Sequence, residues 1–209
     1  RGREWRSPFG ANLYLSLAWS FAAWPPQLSA LSLAVGVACA GALRDAGLAE
    51  VMLKWPNDLR VGQDKLGGIL IEQRGEFGGA CRVVIGVGTN VGMSVAQAGA
   101  LGQPWISLQD ALARAGRPSA VDRNALAAGL VARLLQTLAT FEAEGFAPFQ
   151  AAWAALDIAA DQPVRIEGAT PLEGVARGVD GEGALIVEVD GRRQAVHAGE
   201  VSLRFGTLT

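Results

Sequence analysis

"KWPNDLRVGQDKLGGILIE", Lys54 to Glu72, carries both lysines of a 209-residue chain whose eighteen Lys and Arg residues are otherwise all arginine. Were the two cations interchangeable, both lysines would fall in this segment about one time in fifty, so the ammonium has a reason to be here. An ammonium is a compact charge with three donors on a flexible stem, and it fits between two anionic groups where a planar fork does not. Two unit charges ~4 Å apart repel by about 4 kcal/mol at an effective dielectric of 20, and a lysine between them removes that barrier. Gly67 and Gly68, read as a strand entrance, let a ligand lie against backbone groups that any Cβ would block. Pro56 imposes an extended or turning backbone, so Lys54, Asn57 and Asp58 fan out at a strand end. Asn57 can then orient a ligand, and Asp58 can hold a metal ion or accept a proton. The bland alternative is a turn with two solvated lysines and a glycine bulge; taken together, the residues favour a site.

Working outward, "ANLYLSLAWSF" alternates strictly. Leu13, Leu15, Leu17, Trp19 and Phe21 share one face, and Asn12, Tyr14, Ser16, Ala18 and Ser20 the other, which is the period of a half-buried strand. Pro25 and Pro26 pre-set a helix through "ALSLAVGVACAGAL" that stops near Gly47; Ala30 to Leu43 is too short to span a bilayer and reads as a core helix. "VMLKWP" alternates Val51, Leu53 and Trp55 until Pro56 ends it, and "GILIEQ" and "RVVIGVG" read as two strands around the turn-like "RGEFGG". From Asp122, an N-cap, Leu126, Leu130, Leu134, Leu138 and Phe141 recur at helical spacing up to Gly145, and a second short helix carries Phe149, Trp153 and Leu156. Beyond Asp161 come short strands punctuated by "VDGEG" and "VDGRR", whose Asp-Gly pairs supply the positive φ of tight hairpins. The expected architecture is an α+β domain over residues 1–158 followed by a small antiparallel barrel over 161–209.

Composition narrows the function. Half the residues are hydrophobic and the net charge is -2, with a pI near 5.5, so no surface is built for wholesale phosphate neutralisation, although a local anion site is allowed. Cys39 and Cys81 sit in apolar surroundings without metal-ligand spacing and read as buried, reduced thiols, which suits the cytoplasm. His197 reads as a surface residue of a barrel hairpin and Trp105 as core. "GVGTNVG" has the wrong glycine spacing for a dinucleotide loop, and no phosphate-cradling GxxxxGK[ST] is present. A chain opening on Arg1 is expected to be a fragment or a processed product.

"KWPNDL" followed by "KLGGILIE" resembles the signature of the biotin protein ligases. So do "RGREWRSPFGANLYLSL", "VIGVGTNVG", "GALIVEVDG" and "GEVSLR", in order over essentially the whole chain. The resemblance implies a catalytic domain whose mixed sheet is like that of class II aminoacyl-tRNA synthetases, with an SH3-like barrel behind it. It implies condensation of biotin with ATP, helped by Mg²⁺, to biotinoyl-5′-AMP and pyrophosphate, then transfer to a lysine of a biotin carboxyl carrier domain of a biotin-dependent carboxylase. It assigns Lys65 and Asp58 to catalysis, with Lys65 on both the biotin carboxylate and the α-phosphate. Gly67, Gly68, Ile69 and Arg1 line the biotin pocket, while Arg3, Trp5, Lys54, Asn57, Asp58, Asn90, Arg165 and Arg204 serve ATP and Asp58 its Mg²⁺. Arg3 and Trp5 look like the end of the family's mobile Gly/Arg-rich loop, the rest of which is expected upstream of Arg1. Arg165 stands where the family can have lysine.

Two other functions fit the same features: lipoate or octanoate transfer on the related fold, and a binding fragment of a biotin-responsive repressor. The lysine pairing and terminal barrel favour biotin over lipoate. DNA enters only with an N-terminal helix-turn-helix. "GGILIE" is expected as an exposed strand edge on which a second copy could pair.

Overall fold

The computed structural model describes residues 8–75, 79–98, 103–168, 170–199 and 202–206. Strand β1 (Leu13–Phe21) follows its alternation: Phe21 is buried, Leu13, Leu15, Leu17 and Trp19 are half-buried, and Tyr14, Ser16, Ala18 and Ser20 are exposed. Asn12, expected on the open face, is instead buried, its carboxamide oxygen accepting from the Val91 amide at 3.0 Å. A 3-10 turn at Leu28–Ala30 leads into α1 (Leu31–Asp45), which is apolar on nearly every face and correspondingly buried. Strand β2 (Val51–Lys54) buries Val51, Leu53 and Lys54.

The next strand was not legible as one. Asp58–Val61 forms β3, paired antiparallel with β2 through Val51↔Val61 and Lys54↔Asp58. Its sequence, DLRV, alternates charged and apolar residues but for only four positions between turn-prone Pro56–Asn57 and Gly62, and Arg60, on the face opposite Leu59, is nonetheless only 7% exposed. Gly62, at φ +55, turns the chain into β4 (Asp64–Gly75), so Gly67 and Gly68 lie inside a strand and not at its entrance. Strand β5 (Cys81–Thr89) pairs with β4 over Gly67–Gly75 and with the whole of β1.

The sheet order is β1-β5-β4-β3-β2, and every ladder is antiparallel. The mixed sheet expected from the family resemblance is thus not formed by the described residues; parallel pairing is confined to isolated bridges, Leu53↔Asp157 and Lys65↔Trp105. Turns of two or three residues connect β2 to β3 and β3 to β4, and parallel neighbours would need a long crossover.

Helices cover one face. After α2 (Val95–Ala98) and α3 (Leu108–Arg114, N-capped by Ser107) comes α4 (Arg123–Glu144). Asp122 caps α4 by accepting from the Asn124 and Ala125 amides, and Leu126, Leu130, Leu134, Leu138 and Phe141 are its buried stripe. α5 (Ala147–Ala154) buries Trp153. By length and composition alone Leu28–Asp45 is apolar enough to cross a bilayer, but 67% of that window is buried within the molecule, where α1 packs on α4, α5 and β2. Cys39 and Cys81 are both buried and unpaired.

Strands β6 (Pro163–Glu167), β7 (Leu172–Val179), β8 (Leu185–Val189), β9 (Arg192–Val196) and β10 (Ser202–Phe205) make a second antiparallel sheet in the order β10-β6-β7-β8-β9. Asp190 and Gly191, both at positive φ, form the two-residue turn between β8 and β9. In "VDGEG" the positive φ falls at Gly183, and Asp180 organises that longer loop by accepting from the amides of Glu182 and Ala184. The two sheets share one contiguous hydrophobic core.

Candidate active site

The lysine stretch folds into a double hairpin, β2-β3-β4, that brings its chemical groups together. Lys54 and Asp58 face each other across the β2–β3 ladder, joined by Trp55, Pro56 and Asn57, with a cis Trp55–Pro56 peptide. Across β3 and β4, Asp58 is the partner of Gly68. The Lys65 ammonium therefore reaches Asp58 and donates to its Oδ1 at 2.5 Å, both side chains being largely covered.

The two glycines divide their duties. A Cβ on Gly67 would run into the carbonyl oxygen of Gly88 on the neighbouring strand, so that position keeps the β4–β5 ladder closed. A Cβ on Gly68 would point at the Lys65 ammonium, 3.5 Å away, with nothing closer. Gly68 is thus the one that leaves room beside the lysine.

Positive charge accumulates here. Lys54 is 8% exposed, and its ammonium makes no hydrogen bond or ion pair among the described residues. Burial, opposed by Asp58 and assisted by Arg60, Arg204 and Lys65, pushes its pKa down from 10.5 to about 8. Arg60 is buried between Asp58, at 3.9 Å, and the carbonyl oxygen of Gln63, to which it donates; its burial also works against its charge. Asp58 thus faces three cations, which suits a site awaiting a second anion. Arg60, not singled out from the sequence, joins the site; its position between the two lysines was the available signal.

Other predicted residues turn out to be bound within the protein. The Asn57 carboxamide donates to the Ile69 carbonyl at 2.8 Å, and the Ile69 amide donates to the Asn57 carbonyl at 2.9 Å. The turn is thereby fastened to β4 through both backbone groups of Ile69. Asn90 donates to the carbonyls of Lys65 and Ile106 and accepts from Asn12, each at 3.4 Å. It therefore holds the backbone of Lys65 from behind. The Lys65 amide and carbonyl also pair with Pro104 and Ile106, which leaves Trp105 half-buried at the site's rim and not in the core. Asn12, which carries no cation or carboxylate to draw attention, was missed.

From the second sheet, Arg204 bears on the charge of Lys54 and of Arg60, while its guanidinium pairs with Glu167 at 3.0 Å. Arg165 faces Arg204 across the ladder and pairs with Glu173. Arg1, Arg3 and Trp5 lie outside the described residues. His197 is exposed. No group of three or more His, Cys, Asp or Glu side chains able to hold a metal occurs among the described residues. Lys65 takes Oδ1 of Asp58, and Arg60 stands 3.9 Å from Oδ2.

The fold and the site define a class: an α+β domain that gathers positive charge for an anionic ligand on a β-hairpin, with a small all-β domain docked beside it. The family model described as Biotin/lipoate A/B protein ligase family matches residues 1–90, and that of the Biotin protein ligase C terminal domain matches 161–204. The chain is 43% identical over 205 residues to the Bifunctional ligase/repressor BirA of Salmonella typhimurium, covering 98% of itself and 62% of that relative. It is 34% identical to the Biotin--[acetyl-CoA-carboxylase] ligase of Paracoccus denitrificans, covering 96% of itself and 83% of the relative. Its fold matches the biotin protein ligase from Aquifex aeolicus in complex with biotin and ATP, with a TM-score of 0.72 and 22% identity over 91% of this chain and 79% of that one. The chain belongs to the biotin protein ligase family.

Proposed function

We propose that the full-length protein activates biotin with ATP and passes the biotinoyl group to a lysine of a biotin carboxyl carrier domain. In the first step a biotin carboxylate oxygen attacks the α-phosphorus of ATP and pyrophosphate leaves. In the second, the carrier amine attacks the acyl carbon, AMP leaves and the amine loses a proton. One observation carries the reading: a lysine ammonium, held by Asp58, stands beside the bare backbone of Gly68. There it can neutralise carboxylate and α-phosphate together and stabilise the charge that develops as they join.

That geometry, together with the family resemblance, supports the following assignments. Lys65 is the catalytic cation and Asp58 the group that aims it. Gly68 makes room for biotin, and Gly67 for the strand behind it. Lys54, Arg60 and Arg204 attract the nucleotide's phosphates, with Arg165 further out. Asn57, Asn90 and Ile69 support the site through its backbone. Arg1, Arg3 and Trp5 complete the roles that the family resemblance implies. Asp58 would help hold Mg²⁺, which would supply charge neutralisation on the phosphates. A boundary between residues 158 and 161 separates the catalytic domain from the SH3-like barrel.

The family model over residues 1–90 spans biotin and lipoate ligases, while the one over 161–204 belongs to biotin ligases, and this favours biotin as substrate. The test incubates the full-length protein with ATP, a carrier domain and either biotin or lipoate, and reads the acyl group on the carrier by mass. A carrier that gains lipoyl and no biotinoyl mass overturns the reading. Self-association is proposed at the outer half of β4. Beyond Ile69, β3 no longer pairs with it, so residues 70–75 present an edge on the side away from β5 among the described residues. Repression through DNA, as the BirA relative's name has it, and a cytoplasmic location are proposed for the full-length protein.

A further inference from the structure

We propose that Trp55 is the positioning residue through which the second sheet sets the lysine pair: its indole N–H, bonded to the carbonyl of Gly183, holds the Lys54–Asp58 turn in register with the loop 180–184. The proposal rests on the ligase reading for its activity measurements and on geometry for its argument. Trp55 is 1% exposed and sits between Lys54 and Pro56. Its Nε1 donates to the Gly183 carbonyl oxygen at 3.1 Å, joining positions 128 residues apart in sequence.

The acceptor is rigidly placed. The Asp180 amide donates to the Ala184 carbonyl at 3.0 Å and the Gly183 amide to the Asp180 carbonyl at 3.1 Å, while the Asp180 carboxylate takes two further amides of the loop at 2.9 Å. Gly183 is at φ +77, and a Cβ there would strike the backbone of Ala30, so both conformation and space require glycine. On the far side of the loop, the Ser29 hydroxyl donates to the Glu182 carbonyl at 2.8 Å. Three contacts hold the turn between the lysines: Trp55 to Gly183, the Ser32 hydroxyl to the Pro56 carbonyl at 3.1 Å, and Asn57 to Ile69. Only the first comes from the second sheet, which also contributes Arg204 to the charge around Lys54. A shift of that sheet is therefore transmitted to the turn bearing Lys54 and Asp58, and through Asp58 to Lys65.

A double-mutant cycle in the full-length protein tests this. Trp55→Phe keeps most of the ring volume and removes the donor; Gly183→Ala displaces the acceptor from the other side. Each is expected to lower kcat for pyrophosphate release by ~10–100-fold, since small misplacements of catalytic groups have effects of that size. KM for biotin should stay within about threefold, because the biotin side of the site is built on β4. The double variant should be no slower than the slower single variant, as expected when both break one link. A role in packing alone would lower Tm and leave kcat unchanged. Effects on kcat that multiply in the double variant, or a folded Trp55→Phe protein with wild-type kcat, overturn the proposal. Should the wild-type protein release no pyrophosphate, the ligase reading falls by itself, and the same cycle is read on inorganic pyrophosphate affinity by calorimetry.

Discussion

At the scale of single residues, the two lysines do different work because their surroundings differ. Lys65 has a partner carboxylate at 2.5 Å and stays aimed at Gly68. Lys65→Ala should lower the rate of adenylate formation by ~10²–10³-fold, the size seen when one preorganised charge or donor is removed from a transition state. Its stability should also fall by about 1.5–3 kcal/mol, since the bond it breaks is charge-assisted and largely covered; pyrophosphate release and a thermal melt on the same sample check both claims. Lys54 has only burial and neighbouring charges, and its pKa sits near 8. Its charge, and so its pull on phosphate, fades as pH rises through about 8. ATP affinity measured by calorimetry should weaken above that pH by up to about tenfold per unit, and Lys54→Met should flatten the limb. The stability effect has the opposite slope. The folded value lies below 10.5, so the folded state holds fewer protons than the unfolded chain between about 8 and 10.5, and stability rises across that window, the burial penalty being fully present below it.

At the scale of elements, β4 combines a structural and a chemical glycine in adjacent positions. Gly67→Ala forces a methyl group against the Gly88 carbonyl and should destabilise the protein by about 2–4 kcal/mol, within the range for severe backbone conflicts. Gly68→Ala meets only ordinary contacts around Lys65; it should leave the denaturation midpoint nearly unchanged and weaken biotin binding. Urea melts and biotin titrations on the pair would separate the two, and equal loss of stability in both would refute the division. The alternation in β1 and the leucine stripe of α4 were legible because each element has one wet and one dry face. Strand β3 was not, because its charged-apolar alternation runs for only four residues between turn-prone Pro56–Asn57 and Gly62, and the burial of Arg60 on the face opposite Leu59 is accommodated only once Asp58 and the Gln63 carbonyl are in place.

At the scale of the molecule, the same limit recurs. The KWPND and KLGG residues announce a charged site in the linear sequence, but Asn12 and the 180–184 loop join it only through tertiary contacts, and no local pattern encodes a partner 128 residues away. Those contacts also bear on cooperativity. Val164, Ile166, Ala176, Leu185, Val187 and Leu203 of the second sheet belong to the same buried cluster as the α1 and β-sheet residues of the first domain, and Gly183 lies against Ala30. Two units sharing one core unfold together, because separating them exposes apolar surface at about 25 cal/mol per Å² on both sides. Calorimetry should therefore give a single transition whose van't Hoff and calorimetric enthalpies agree. A chain ending at residue 158 should lose that cooperative transition, with increased binding of a hydrophobic dye. Two well-separated transitions in the intact protein would mean that the second sheet is an independent appendage, and the transmission from Gly183 to the lysine turn would then lack its mechanical basis.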